Sequence, residues 1–127
     1  MIVRTKVPVF FARNAITRIV EVRNLIRALV ECVSKYGNLL LNVGPNAMGE
    51  IPEELLEILE AVGKWMKNNG ESIYGCSSAN LPKPEWGRNT QKGNFLYAHV
   101  YDRGTGPIDF QGLKGKIKKS KIAGRRV

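Results

Sequence analysis

The spacing of apolar side chains divides this chain into helix-like and strand-like stretches. Val22, Leu25, Ile26, Leu29, Val30 and Val33 recur at intervals of three and four. They form one stripe of a 3.6-residue period and predict an amphipathic helix. Thr17 is its expected N-cap, and Gly37 is placed to stop it in the left-handed conformation. Leu39, Leu40, Leu41 and Val43 follow as an apolar run broken by Asn42. Without alternation, this run predicts a strand covered on both faces, as in a parallel sheet. Gly44, Pro45, Asn46 and Gly49 make a loop, and Pro52 suits the first position of a second helix. Leu55, Ile58, Leu59, Val62, Trp65 and Met66 stripe that helix, expected over 52–69 with Gly70 closing it.

Beyond residue 70 the pattern changes. Leu81 to Trp86 carries Pro82 and Pro84 and reads as a linker. From 94 to 102 the period is two: Phe95, Tyr97, His99 and Tyr101 share one face, and Leu96, Ala98 and Val100 the other. A turn at 104–107 precedes candidate strands at Ile108–Phe110 and Lys116–Ile122. Before residue 16 there is a weaker extended signal around Val7, Val9 and Phe11. The expected fold class is therefore an α/β piece, one helix–strand–helix unit, followed by an incomplete antiparallel β module.

Composition refines this picture. The chain has 127 residues and a formal charge of +9, well short of the ~250 residues of a complete α/β barrel. From Gln111 onward it holds Lys114, Lys116, Lys118, Lys119, Lys121, Arg125 and Arg126 and no acid. The basicity belongs to this tail. It fits a strand with a charged solvent side, or a nucleic-acid patch for which Phe95, Tyr97 and Tyr101 would be the stacking faces. Cys32 and Cys76 make no disulfide framework, and Cys32 reads as a small buried hydrophobe. No apolar run approaches the ~18 residues of a membrane helix. No export signal is visible, so the default compartment is cytoplasmic.

Four stretches carry a family pattern. LVECVSKYGNLLLNVGP (29–45), GEIPEE (49–54), GKWMKNNGESIYG (63–75) and KPEWGRNTQKGNFLYAHVY (83–101) resemble the α-L-fucosidases of glycoside hydrolase family 29. VPVFFARNA is similar to a further family stretch and departs from it at Phe11 and Ala12. The resemblance implies an irregular α/β barrel followed by a β-sandwich. Residues 1–80 would be the end of the barrel, with Gly37–Pro45 a late strand, and 81–127 the start of the sandwich. The implied reaction is retaining hydrolysis of terminal α-L-fucose from glycoconjugates, so the implied partners are α-L-fucoside glycans.

Retention needs two carboxyl groups about 5–5.5 Å apart. In the family both precede the stretch matched here, so no catalytic residue is assigned and the chain is expected to be inactive alone. A separately encoded N-terminal fucosidase fragment is then a possible partner, and the chain an interaction module. Asn42, Gly44 and Pro45, at the end of the expected strand, are the candidate substrate-binding residues, because barrel enzymes place their sites there. Local hydrogen bonding is the competing role for Asn42. The acids Glu53, Glu54, Glu57 and Glu60 fit helix-start and solvent-face positions. His99 is the sole histidine, so neither a metal site nor a Ser-His-Asp arrangement is built on it. No cofactor is expected.

Overall fold

A computed structural model describes residues 2–6, 16–102, 104 and 106–123. Its elements in order are β1 (Ile2–Lys6), α1 (Ile16–Ser34), α2 (Glu53–Asn69), a 3-10 turn (Gly70–Ser72), β2 (Ser77–Ser78), β3 (Gly87–Lys92), β4 (Phe95–Val100) and β5 (Lys119–Ala123). The extended signal around Val7, Val9 and Phe11 lies outside the described residues.

Both helices follow their apolar stripes. Val22, Ile26, Val30 and Val33 of α1 are buried with Ile58 and Trp65 of α2 and Ile73, and Leu25, Leu29, Leu55, Val62 and Met66 pack around them. Each fully buried aliphatic side chain of this kind contributes about 1.5–3 kcal/mol. Cys32 is half-buried, and both cysteines are free thiols.

The helix ends differ from expectation in detail. α1 begins at Ile16, which puts Thr17 inside the first turn instead of at the N-cap position. At the other end the left-handed residue is Tyr36, at φ 61°. Its N–H donates to the Val33 carbonyl at 3.2 Å, and the Gly37 N–H donates to Cys32 at 2.7 Å. This is the Schellman pattern shifted one residue N-terminally, with Gly37 at the position after the left-handed residue. A Cβ on Gly37 would sit 3.1 Å from the Cys32 oxygen, which explains glycine there. The Tyr36 hydroxyl donates to Asn80 Oδ1 at 3.1 Å, and Asn80 is also left-handed at φ 51°. Gly70 keeps right-handed angles. It carries the chain into the 3-10 turn, where the Gly70 carbonyl accepts from Ile73 and Tyr74.

The expected strand at Leu39–Val43 is not formed. Residues 37–46 are irregular, and no ladder bond joins them to another described segment. Leu40 is 92% exposed. The physical reason is that a strand exists through its neighbours, and the described residues offer this run none.

The β region is a five-stranded sheet in the order β2-β3-β4-β1-β5. β2, β3 and β4 are antiparallel, with Thr90 opposite Tyr97 and Arg88 opposite His99. β1 runs parallel to both β4 and β5, with Val3 opposite Leu96 and Ser120. The sheet is therefore mixed where an antiparallel module was expected, because β1 comes from far away in sequence and inserts between β4 and β5. Ile108–Phe110 is not a strand. It clamps Trp86 instead: the Trp86 Nε1–H donates to the Asp109 carbonyl at 2.9 Å, and the Phe110 ring meets the indole edge-on at 5.5 Å. β5 is shorter than the expected 116–122 strand and starts at Lys119.

Candidate functional site

The loop after the apolar run is shaped by one side chain. Asn46 Oδ1 accepts from the Met48 N–H at 2.9 Å and the Glu50 N–H at 3.0 Å. The Asn46 N–H donates to the Glu50 carbonyl at 2.7 Å, and the Asn46 carbonyl accepts from Gly49 at 3.0 Å. Gly49 takes φ 80°. Asparagine suits this role because its short carboxamide can replace backbone partners two to four residues on. The fold thus sets the exit of residues 37–45 through Asn46.

Of the three candidate binding residues, Asn42 lines a groove among the described residues. A groove of about 470 Å³ is lined by Asn24 and Leu25 of α1, by Leu41, Asn42 and Val43, and by Leu55, Ile58 and Leu59 of α2. Gly44 and Pro45 are exposed and lie outside the lining. The groove is walled by aliphatic side chains, with two carboxamides as its polar side chains. Carboxamides donate and accept hydrogen bonds but do not transfer protons at neutral pH. The groove could orient a hydroxylated ligand, and it holds no acid or nucleophile. Asn24, on the polar side of the α1 stripe, gave no sequence signal. Its place in the groove depends on how α1 meets residues 41–43.

Two polar clusters lie away from this groove. On the seam between α1 and the sheet, Glu31 pairs with Arg88 Nε and, at 2.6 Å, with Lys35 Nζ. The Arg88 guanidinium first, and Lys35 second, hold the Glu31 carboxyl down at about 2. Arg27 lies 4.8 Å from the centre of the Tyr101 ring, and its Nη2 donates to the Tyr101 carbonyl at 3.3 Å. Burial pushes the Tyr101 phenol up to about 12. These groups fasten the helix to the end of β4.

The second cluster is buried. The Thr90 hydroxyl donates to the Ser72 carbonyl at 2.8 Å. It has one proton to give, so His99 Nε2, 3.0 Å away, is the donor to Thr90 Oγ1. This fixes the Nε2–H and gives the lone histidine, 2% exposed, a structural role. Burial raises the nearby Cys76 thiol, against the opposing charge of Lys92, which keeps it a poor nucleophile. Among the described residues no cluster of three His, Cys, Asp or Glu side chains could hold a metal ion. No described helix is long and apolar enough to cross a membrane.

Known proteins resemble this chain across the groove. The model of the α-L-fucosidase family matches residues 9–71. α-L-Fucosidase isoenzyme 1 from Paenibacillus thiaminolyticus is 65% identical, with a TM-score of 0.73, covering 76% of this chain and 23% of its own. An α-L-fucosidase from Bacteroides thetaiotaomicron, solved as a trapped covalent intermediate, is 33% identical at a TM-score of 0.63, covering 66% of this chain and 20% of its own. The human tissue α-L-fucosidase is 41% identical over 90 residues, 66% of this chain and 19% of the human protein. The chain thus spans about a fifth of the length of the curated relatives it matches. The match spans α1, the apolar run, the Asn46 loop and α2, and on this evidence the chain belongs to the α-L-fucosidase family.

Proposed function

We propose that this chain is a working part of an α-L-fucosidase that hydrolyses terminal α-L-fucose with retention. Residues 1–80 contribute the late strand, loop and helix of an irregular α/β barrel, and 81–127 the start of a β-sandwich. The reading rests on the match to the Paenibacillus enzyme over three quarters of the chain. The carboxyl pair that retention requires, about 5–5.5 Å apart, comes from residues beyond those matched here. Glu31 is no substitute. A general acid is a carboxyl kept protonated near neutral pH, and Glu31 is held far on the other side by Arg88. Asn42 is the residue of this chain placed to hydrogen-bond a sugar hydroxyl, and Gly44 and Pro45 set the loop beside it. The isolated chain is inactive.

The test exchanges the matched stretch of the Paenibacillus enzyme for this chain and measures release of an aryl α-L-fucoside leaving group. The chimera is expected to hydrolyse the fucoside, and the 127-residue chain alone to release nothing above a mock preparation. A folded but inactive chimera, or fucose release by the isolated chain, would overturn the reading.

A further inference from the structure

A second hollow lies at the other end of α2 from the Asn42 groove. It measures about 650 Å³, and its lining includes Met66, Lys67, Asn68, Gly70, Glu71 and Tyr74. Its aromatic wall is Tyr74, a residue 66% exposed. That wall is fixed in place. The Tyr74 N–H donates to the Gly70 carbonyl at 2.8 Å, and the Tyr74 carbonyl accepts from Lys92 Nζ at 3.1 Å. The ring lies so close against Gly70 that a Cβ there would stand 2.8 Å from Tyr74 Cε2. Gly70 has right-handed angles, which other residues adopt equally well. The backbone does not demand glycine at this position; the seat of the ring does. A ring placed only for packing would be buried, because an exposed aromatic forgoes most of its hydrophobic gain.

The rest of the hollow is polar. Lys67, Asn68 and Glu71 are exposed, and they supply hydrogen-bond donors and acceptors beside the ring. Asn68 Nδ2 donates to the Lys64 carbonyl at 3.3 Å, which orients its carboxamide. This lining selects a class of ligand. A pyranose has an apolar face of C–H bonds and a rim of hydroxyls. The face stacks on an aromatic ring, and the hydroxyls meet the polar side chains around it. An apolar peptide would have to take Lys67 and Glu71 out of water at a cost. A phosphate chain would find Lys67 offset by Glu71, with no net positive charge to attract it. We propose that this hollow is a surface subsite for one pyranoside unit of a glycan, with Tyr74 as its stacking platform and Lys67, Asn68 and Glu71 as its hydrogen-bonding rim. That the glycan is a fucosylated one rests on the family reading above; the choice of a sugar ring comes from the lining itself.

The experiment titrates the full, isotope-labelled chain with methyl α-L-fucoside and, separately, with methyl β-D-galactoside, and follows the backbone amide resonances. The expected result is a saturable shift of the amides of 67–74 with at least one of the two sugars. The dissociation constant should lie in the millimolar range, as one small ring on one platform allows. Tyr74→Ala should weaken binding about 10-fold, whereas Tyr74→Phe, which keeps the ring, should stay within about 2-fold of wild type. Tyr74 is exposed, so both variants should keep the circular dichroism of the wild type. The subsite is overturned if neither sugar gives a saturable shift, if the shifts are confined to the Asn42 groove, or if Tyr74→Ala binds as tightly as wild type. Binding is read on the free chain and needs no catalysis. A failed titration therefore leaves the hydrolytic reading standing, and an inactive chimera leaves the subsite standing.

Discussion

Residues 38–43 and β3 invert the usual relation between residue type and burial. The first reads Asn-Leu-Leu-Leu-Asn-Val and is largely exposed. The second reads Gly-Arg-Asn-Thr-Gln-Lys, without one aliphatic or aromatic side chain, yet buries Gly87, Asn89 and Thr90. The difference lies in partners. β3 is flanked by β2 and β4 in the sheet, and its Thr90 hydroxyl is tied to Ser72 and His99, while Asn89 Oδ1 is buried without a hydrogen bond among the described residues. Residues 38–43 border helices at Leu41, Asn42 and Val43 and have no ladder among the described residues. Burial follows from available neighbours as well as from hydrophobicity, and a polar strand can enter a core when its sheet neighbours and a bond such as that of Thr90 offset the cost.

The comparison breaks most completely at Gly87. A Cβ there would collide with the His99 carbonyl oxygen. Backbone would have to move, so Gly87→Ala is expected to cost about 3 kcal/mol, read as a fall in the urea midpoint. An unchanged midpoint would mean that β3 and β4 are not held this closely.

Thr90→Val comes next. It keeps the shape but leaves the Ser72 carbonyl and the His99 Nε2–H without their partner, at about 2 kcal/mol. Thr90→Ser should recover most of that loss. Equal destabilisation by both would mean that the hydroxyl bonds do not dominate, since Thr90→Ser keeps the hydroxyl and Thr90→Val keeps the methyl group.

A smaller effect is expected at Glu31, whose carboxyl is held at about 2 against an ordinary 4.5, chiefly by Arg88. A folded value below the unfolded one means that the stabilisation is full above about pH 4.5 and disappears as the pH falls toward 2. Glu31→Gln should cost about 1 kcal/mol at neutral pH, since the pair is partly screened by solvent. It should also flatten the acid limb of a pH–stability profile. An identical acid limb in the variant would show that other carboxyls carry it.

The smallest effect belongs to the apolar segment. Leu40→Ser should change the stability of the free chain by no more than about 0.5 kcal/mol. A thermal melt shifted well beyond that would mean Leu40 is already buried in solution.

Much of this was legible in the sequence, and the limits have physical causes. The two helices were, because the Val22–Val33 and Leu55–Met66 stripes are local and periodic. β4 was, because Phe95–Val100 alternates. β3 was not, because its buried positions are polar and carry no hydrophobic period. The Schellman end at Tyr36 leaves no sequence signal, because tyrosine is an unusual left-handed residue and the glycine one position later is the usual occupant of that conformation. The pairing of β1 with β4 and β5 joins distant segments and leaves no local trace. At the candidate site, Asn42 follows the leucines in sequence and lines the groove. Asn24 depends on helix packing, and the sequence marks Asn46 as a loop residue but carries no sign that it is the acceptor that closes the loop.

Native-state hydrogen exchange on the free 127-residue chain tests the central contrast most directly. The account predicts that the amides of 38–45 exchange nearly as fast as an unfolded peptide, while those of 95–100 exchange only through wider unfolding. Comparable protection in the two segments would mean that the leucine run already has a ladder partner, and it would contradict the view that this segment lacks one among the described residues.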